Sequence, residues 1–215
     1  MKKTAQLIGL DLETGGLNGY QILESGERVH GALYYPILEV GVMHCDHNLN
    51  QLGSFSVGIW NDSFLDRLHP WALKSHTESG LIDDLRNGSG LHDYVFSNNE
   101  DAADYIRQEL AAMGVNAYQR KEKSGAIMFG NSIGFDMSFL DAQMPELAEF
   151  FSYRTIDVSS IELLKRTAWQ SLNLPFVKKA YEHTALADIN ETRHELDEYT
   201  KHLKADQLRE MESLN

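Results

Sequence analysis

The sequence predicts a compact α/β domain, and three observations support that fold class. The chain has 215 residues, of which 42% are hydrophobic and 10% aromatic, so it can bury a full core. Short apolar runs typical of strands alternate with segments whose apolar residues keep a helical spacing. No repeat, low-complexity tract or linker interrupts this alternation, so we expect a single domain over 1–215.

Apolar runs predict the strands of a central sheet. The first run covers Gln6–Leu12 and ends among acids, and the second covers Pro36–His44. Gly53–Trp60 alternates apolar and polar residues, as a half-buried strand does. Further along the chain, Ala126–Phe129 predicts a buried strand, and Arg154–Val158 predicts another.

Helical periodicity separates most of these strands. Leu65–Lys74 predicts a short helix, and Asn98 or Asn99 can cap the helix that follows the third strand. The longest helical pattern runs from Thr184 to about Leu203, where apolar residues repeat with a helical spacing. A chain that alternates strands and helices in this way suits a sheet covered by helices.

Two segments fit neither pattern. Asn18–Tyr35 contains glycines and mixed charges without a steady period, so we expect an inserted loop or an extended hairpin there. Tyr118–Gly125 contains Arg120, Lys121 and Lys123, and we interpret it as a solvated surface connection, not as a phosphate track.

Composition restricts the ligands and the cellular compartment. The formal net charge of −13 argues against a broad grip on long nucleic acid, because such binding needs many lysines and arginines. We therefore expect a nucleic-acid ligand to be short or bridged by metal ions. The single cysteine, Cys45, cannot form an internal disulfide, which favours a reducing cytoplasm. The sequence shows neither a signal-peptide core nor a membrane span, so we expect no membrane partner.

Asp11 and Glu13 in DLETGGL stand two residues apart at the end of the first predicted strand. The period of two in a strand places both carboxylates on one face, where both can contact the same ion. Strand ends are also the edges at which α/β sheets bind ligands. Taken alone, the pair could equally be a solvated strand end before a turn.

Two later segments carry further candidate catalytic residues. Asp136 follows GNSIGF, where a strand gives way to a helix, and by itself it could be a helix-start acid that favours the helix dipole. His183 and Asp188 in HTALAD are five residues apart, and five steps along a helix turn by about 140°. We therefore expect His183 just outside the helix that carries Asp188. A surface histidine near a helix start is the alternative.

Together these residue types supply what phosphodiester hydrolysis needs. Two divalent cations about 3.5–4 Å apart can activate the attacking water and stabilise the leaving oxygen. Several carboxylates are required to hold them, and a set of Asp and Glu without thiolates suits Mg²⁺ or Mn²⁺ better than zinc. A histidine that titrates near neutral pH can deprotonate the water.

The segments DLETGGL, GNSIGFDMSFL and HTALAD resemble, in order, the three motifs of the DEDD exonuclease superfamily in its histidine-bearing branch. WALKSHTESGL from Trp71, MPELAEFFSYRTIDVSS from Met144 and HTALADINETRHEL from His183 are similar to the oligoribonuclease family, and the likeness covers most of the chain. The resemblance implies a ribonuclease H-like mixed central sheet flanked by helices. It also implies a 3′-to-5′ exonuclease that hydrolyses short single-stranded oligoribonucleotides to nucleoside 5′-monophosphates.

The resemblance implies a catalytic role for five residues of the motifs. Asp11, Glu13, Asp136 and Asp188 would be the metal ligands, and His183 would be the general base. The cofactors would be two divalent cations, Mg²⁺ or Mn²⁺. The segment 18–35 is longer than the compact connection of the family, and this leaves the length of the substrate open.

The resemblance further implies a pocket for substrate, formed by Leu17, Trp71, His76, Ser132, Tyr153, Arg154, Ser159 and Ser160. Leu17 would lie between the last two bases, and Arg154 with Ser159 and Ser160 would contact the phosphate at the far end of a bound dinucleotide. Tyr153 would reach the site of the neighbouring subunit, so the resemblance implies a functional homodimer.

Each role has a plainer alternative. Trp71 could be a core aromatic, Tyr153 a packed strand residue, and the serines a helix cap. Asp157 could be a structural acid, and we do not include it among the ligands. For the whole chain, the alternatives are an exonuclease on longer RNA ends or single-stranded DNA, a phosphatase, and a non-catalytic nucleic-acid-binding protein.

Overall fold

A mixed sheet of six strands forms the centre of the protein. The computed structural model describes residues 4–88, 90–177 and 184–213. The strands are β1 (Ala5–Thr14), β2 (Tyr20–Ile22), β3 (Arg28–His30), β4 (Ile37–Cys45), β5 (Gln51–Ile59), β6 (Tyr94–Phe96), β7 (Gly125–Gly130) and β8 (Ile156–Asp157). The central sheet has the order β6-β5-β4-β1-β7-β8, while β2 and β3 form a separate pair. β1 is antiparallel to β4 and parallel to β7, which confirms the mixed sheet.

Helices cover both faces of this sheet. They are α1 (Gly31–Tyr34), α2 (Pro70–Glu78), α3 (Leu81–Asn87), α4 (Asn99–Ala112), α5 (Gly134–Gln143), α6 (Pro145–Ala148), α7 (Val158–Arg166) and α8 (Ala185–Ser213). One buried cluster joins β1 to α4 and α5, and a second joins β4 and β7 to α8. In the parts of the chain that the structure describes, no helix is long and apolar enough to cross a membrane.

Helix α8 rests directly on the backbone of β1 and β4. A Cβ atom at Gly9 would lie 2.6 Å from Cγ2 of Ile189, and one at Gly41 would lie 2.8 Å from Cβ of Ala185. Both distances are shorter than any real contact of a Cβ atom, so a larger residue at either position would push the helix away. The glycines therefore bring the first turn of α8 over the acidic end of β1.

The second half of the chain requires two corrections to the predicted elements. The strand predicted over Arg154–Val158 is wrong in extent, since β8 covers two residues and Val158 already begins α7. The helix cap is also different. The side chain of Asp157, not that of Ser159 or Ser160, accepts a hydrogen bond from the first turn, with the backbone N–H of Ser159 3.0 Å away.

The helix predicted over Leu65–Lys74 is also wrong as a single element. A 3-10 segment at Asp62–Arg67 ends before Leu68, which is extended, and α2 begins at Pro70. The residue before a proline rarely adopts a helical backbone conformation, whereas proline itself fits the first turn of a new helix. In α4 the predicted cap is confirmed, because the Asn98 side chain accepts a hydrogen bond from the backbone of the first turn.

The segment 18–35 contains a short hairpin followed by α1. Strands β2 and β3 pair from Tyr20 opposite His30 to Ile22 opposite Arg28. The backbone N–H of Gly31 donates to the carbonyl of Gly19 at 2.8 Å, so the two ends of the hairpin lie side by side. The hairpin therefore projects from a closed base next to the end of β1.

Candidate active site

Asp11 and Glu13 lie on the face of β1 that α8 covers. Leu10 and Leu12, which alternate with them, are buried in the core on the opposite face. Asp188 comes from the first turn of α8. One carboxylate oxygen from each of Asp11, Glu13 and Asp188 lies within 4.8 Å of the others. Asp188 is more than 170 residues from Asp11 and Glu13 in the sequence. The structure nevertheless brings the three acids to about the spacing that metal ligands require.

Asp136 lies beside this set of three acids, in the first turn of α5. It is 3% exposed, and its Oδ1 accepts a hydrogen bond from the backbone N–H of Leu12 at 2.9 Å. Leu12 stands between Asp11 and Glu13, so this bond fixes α5 against the acidic end of β1. His183, the predicted general base, lies outside the described residues.

Burial and mutual repulsion raise the pKa values of the acids. Burial is the largest cause for Asp11, whose pKa lies well above its ordinary range, and Asp136, Glu13 and Asp188 raise it further. Burial, followed by the charges of Glu39 and Asp188, raises the pKa of Glu13 to about 8. Burial also raises the pKa of Asp136 to about 7, against the lowering effect of its hydrogen bond from Leu12. A site of this kind favours the binding of positive charge.

His76 of α2 lies behind Glu13. The ring is 6% exposed, and its Nε2 is 2.9 Å from the carbonyl oxygen of Thr14. Its Nδ1 is 3.9 Å from Oε2 of Glu13. The structure therefore places this predicted pocket residue against the end of β1, in contact with a candidate metal ligand.

Leu17 and Trp71 are both exposed, which excludes the alternative that Trp71 is a core aromatic. Their segments are adjacent, because the backbone N–H of His69 donates to the carbonyl of Gly15 at 2.7 Å. The structure thus presents an apolar side chain on the loop after β1 and an aromatic side chain in the first turn of α2. Exposed aromatic faces of this kind are suited to stacking on nucleotide bases.

Ser132 and Ser159 meet at the other side of the acid cluster. The backbone N–H of Ser132 donates to Oγ of Ser159 at 2.9 Å and to Oδ1 of Asp157 at 3.1 Å. Ser132 has a φ of 51°, in the left-handed region, which turns the GNS segment toward α7. Asn131 accepts a hydrogen bond from the Ser159 hydroxyl at 3.3 Å. Ser160 is exposed at the start of the same helix.

Tyr153 and Arg154 lie on the surface before β8. Tyr153 is 61% exposed, which excludes a packed position in a strand. The guanidinium of Arg154 is 5.3 Å from the centre of its ring, and that of Arg120 is 5.4 Å from it. Arg120, from the connection predicted to be solvated, therefore belongs to the same surface patch as Tyr153.

One acid next to the site was not predicted from the sequence. Glu39 of β4 stands opposite Glu13 in the register of the two strands and is 3% exposed. The signal was present in the sequence, because Glu39 is the one charged residue of the apolar run PILEVGVMH. Buried carboxylates are rare unless they are paired or functional.

The fold and the converging acids define a class of protein, the DEDD exonucleases with a ribonuclease H-like sheet. Solved structures with this fold include an Escherichia coli ExoI–ssDNA complex (TM-score 0.53, 14% identity, 99% of this chain and 43% of that chain covered). Another is Schizosaccharomyces pombe Pop2p in its Mg²⁺- and Mn²⁺-bound form (TM-score 0.52, 15% identity, 89% and 81% covered). At these identities the likeness shows the fold alone.

Sequence comparison identifies the family within this class. The chain is 36% identical over 203 residues to the oligoribonuclease of Idiomarina loihiensis, with 93% of this chain and 95% of the relative covered. It is 34% identical over 199 residues to that of Photobacterium profundum, with 92% and 94% covered. No family model matches the chain. The chain belongs to the oligoribonuclease family.

Proposed function

We propose that the chain is a 3′-to-5′ exonuclease that hydrolyses short single-stranded oligoribonucleotides to nucleoside 5′-monophosphates. One observation carries the proposal, the convergence of Asp11, Glu13 and Asp188 at the end of β1 in a member of the oligoribonuclease family. The relatives named above bear the name oligoribonuclease, which supports a short RNA substrate. The net charge of −13 also suits a short ligand better than a long one.

The donor atoms of the site fit two Mg²⁺ or Mn²⁺ ions. The three clustered acids offer carboxylate oxygens, which these hard cations prefer. The raised pKa values of Asp11 and Glu13 indicate that, without bound cations, their negative charges are not balanced. Bound cations would activate the attacking water and stabilise the leaving oxygen of the phosphodiester.

We assign the following roles to the residues of the chain. Asp11, Glu13, Asp136 and Asp188 would hold the cations, and the imidazole of His183 would accept the proton of the attacking water. The Asp136 carboxylate also aligns β1 through its bond to the backbone of Leu12, so it would fix the relative positions of the other acids. These positions matter because displacements of about 1 Å in such sites can cost about 10²-fold in rate.

The substrate pocket would extend to both sides of the acids. On one side are Trp71 and Leu17, and Leu17 would separate the last two bases. His76 would hold the Glu13 side chain in place. The other side is formed by Ser132, Arg154, Ser159 and Ser160. These polar groups would receive the phosphate at the far end of a dinucleotide, because a positive side chain and hydroxyls are suited to an anion.

We infer that the enzyme acts as a homodimer, in which Tyr153 reaches the site of the partner. Its exposed ring, which contacts the guanidinium groups of Arg120 and Arg154, supports this inference. We further infer that 1–215 is one exonuclease domain, since both buried clusters share the central sheet. Cys45 is the single cysteine and is buried, which supports the inference that the enzyme functions in the reducing cytoplasm.

A length series tests the proposed substrate. The protein is incubated in Mn²⁺ with 5′-labelled RNA of two to about twenty nucleotides and with DNA of the same lengths. We expect dinucleotides to be hydrolysed faster than the long strands and RNA faster than DNA. Equal rates at all lengths would contradict an oligoribonuclease. Asp11→Ala protein serves as the control, because it lacks one ligand and should release no mononucleotide.

A second substrate class has support from one feature. The hairpin β2–β3 presents the exposed side chains Tyr20 and Ile22 next to the end of β1, and such a surface could accept a longer RNA or a single strand of DNA. The same length series distinguishes this candidate, which predicts rates that rise with length.

A further inference from the structure

A buried carboxylate continues the candidate metal site into the sheet. Glu39 of β4 is the register partner of Glu13, and on its other side it is the register partner of Gly58 of β5. Glu39 contributes more than any other charged group to the raised pKa of Glu13. A carboxylate in this position would repel the acids of the site unless hydrogen bonds or an opposite charge stabilise it.

The carboxylate of Glu39 has partners that lie away from Glu13. Its Oε2 accepts a hydrogen bond from the backbone N–H of Ala185 at 3.3 Å, and Ala185 is the first residue of α8. Its Oε1 is 3.4 Å from Nε2 of His92. A carboxylate at a helix N-terminus accepts from the exposed N–H groups and interacts favourably with the helix dipole. Glu39 therefore joins β4 to the helix that carries Asp188.

His92 is held in turn by a second acid. Its Nδ1 is 2.6 Å from Oδ2 of Asp84 in α3, and the side chains of both residues are almost fully buried. The backbone around His92 is fixed to β5, because the Ser56 hydroxyl donates to the carbonyl of Leu91 at 3.3 Å. The N–H of Ser56 also donates to the side chain of Asp93 at 3.0 Å. The imidazole thus lies between two carboxylates, hydrogen-bonded to Asp84 and within ion-pair distance of Glu39.

The space for this imidazole depends on Gly58. A Cβ atom at Gly58 would lie 3.3 Å from Cγ of His92 and 2.5 Å from Cδ2 of Leu85. Even alanine would therefore displace the Leu85 side chain and crowd the His92 ring. Three neighbouring strands carry a row of register partners, Glu13, Glu39 and Gly58. Because Gly58 has no side chain, there is room for His92 beside Glu39.

We propose that Glu39, His92 and Asp84 are positioning residues, which fix the N-terminus of α8 and thereby hold Asp188 opposite the acidic end of β1. The inference rests on the proposed metal-dependent function of that site. It agrees with the general rule that partners of metal ligands orient them, and that their loss costs about 10–100-fold in metal affinity or activity. Although burial lowers the pKa of His92, its contacts with Glu39 and Asp84 raise it above the ordinary value, which is consistent with a charged ring between the acids.

The experiment replaces His92 and measures binding and catalysis separately. We expect His92→Leu to weaken Mn²⁺ binding, measured by calorimetry in the absence of substrate, by about tenfold. For a dinucleotide substrate, we expect kcat to fall by about 10–100-fold while KM stays within about twofold, because the substrate pocket is untouched. His92→Gln retains a polar partner for Glu39, so it should recover part of both losses.

Matched controls separate positioning from general damage. His44→Leu removes a different buried histidine, on β4, and Gly53→Ala adds a Cβ atom on β5 that meets the flexible end of Met113. Both should lower thermal stability without changing Mn²⁺ affinity. Gly58→Ala, by contrast, should reproduce the effect of His92→Leu and provides a second route if that variant does not fold.

The outcomes distinguish the two levels of inference. If His92→Leu and Gly58→Ala lower stability but leave Mn²⁺ affinity and kcat as the control variants do, the positioning role is wrong. If the wild-type protein hydrolyses no oligonucleotide, the proposed function fails. In that case a tenfold loss of Mn²⁺ affinity in His92→Leu still supports the positioning of Asp188.

Discussion

Asp11 and Glu13 lie on a strand with sheet neighbours on both sides, whereas the hairpin β2–β3 pairs only with itself in the described structure. β4 pairs with the acidic end of β1 and β7 pairs with the strand up to Gly9. α8 brings Asp188 to the two acids, and Asp136 adds a bond from α5. The hairpin instead exposes 77% of the Ile22 side chain and is tied down mainly at its base. Rigid elements can hold a catalytic geometry closely, while a surface hairpin can vary without disturbing the core.

The two regions also carry charge differently. In the acid cluster, burial and like charges raise the pKa values of Asp11 and Glu13, so this region favours the binding of cations. In the hairpin, the guanidinium of Arg28 lies 4.0 Å from the centre of the Tyr20 ring, in an exposed contact that solvent screens. We therefore expect chemistry to depend on the first region and the choice of substrate on the second. The following variants test that division.

The largest effect is expected at Asp136. Asp136→Asn keeps an oxygen that can accept from the backbone of Leu12, but it removes a negative charge from the metal site. We expect kcat on a dinucleotide to fall by about 10³-fold or more with little change in melting temperature. Asp141→Asn on the exposed side of the same helix is the control and should keep full activity. Comparable rates for the two variants would show that Asp136 has no part in catalysis.

Tyr153 tests whether a surface residue can matter as much as a buried one. If the ring completes the partner's site, Tyr153→Ala should lower kcat/KM by about 10²-fold without changing Mn²⁺ affinity. Tyr153→Phe retains the ring that contacts the two arginines and should keep most of the activity. Mixing Tyr153→Ala chains with Asp11→Ala chains should restore part of the turnover, because a mixed dimer has one intact site. No restoration in a confirmed mixed dimer would contradict the sharing of sites.

The contrast also explains what the sequence could predict. The shared face of Asp11 and Glu13 follows from the period of two in a strand, which is a local property. The approach of Asp188 depends on how α8 packs over β1, so only the resemblance of whole motifs indicated it. For α7, the sequence suggested a serine cap because spacing alone does not distinguish Asp157, which precedes both serines. Glu39 was missed for a similar reason, since its partners come from distant segments.

The hairpin should affect the choice of substrate more than the chemistry. Gly19 and Gly31 are already hydrogen-bonded, so residues 20–30 can be removed and replaced by a short glycine link. If the exposed hairpin residues contact bases beyond the dinucleotide, KM for a pentanucleotide should rise by about tenfold while that for a dinucleotide stays unchanged. Steady-state kinetics on both substrates with the same preparation give an internal control. Equal changes for both lengths would place the hairpin in the catalytic machinery.

The smallest effect concerns stability and pH. Because the pKa of Glu13 is raised from 4.5 to about 8, the folded protein holds this proton more tightly than the unfolded chain does. Its contribution to stability is therefore fully present below about pH 4.5 and is lost as pH rises through about 8. Glu13→Gln cannot ionise, so the metal-free variant should be more stable than wild type at pH 8.5.

At pH 5 the advantage of Glu13→Gln should be much smaller, because most of the wild-type carboxyl is then protonated in the folded protein. Urea unfolding at both pH values in the presence of a chelator measures the difference. Glu27→Gln on the exposed hairpin is the control and should change stability at neither pH. Addition of Mn²⁺ should reverse the order at pH 8.5, because the wild-type carboxylate then gains a cation that the amide of the variant binds poorly. An advantage that is equal at both pH values would mean that packing, and not the balance of charge in the acid cluster, separates the two proteins.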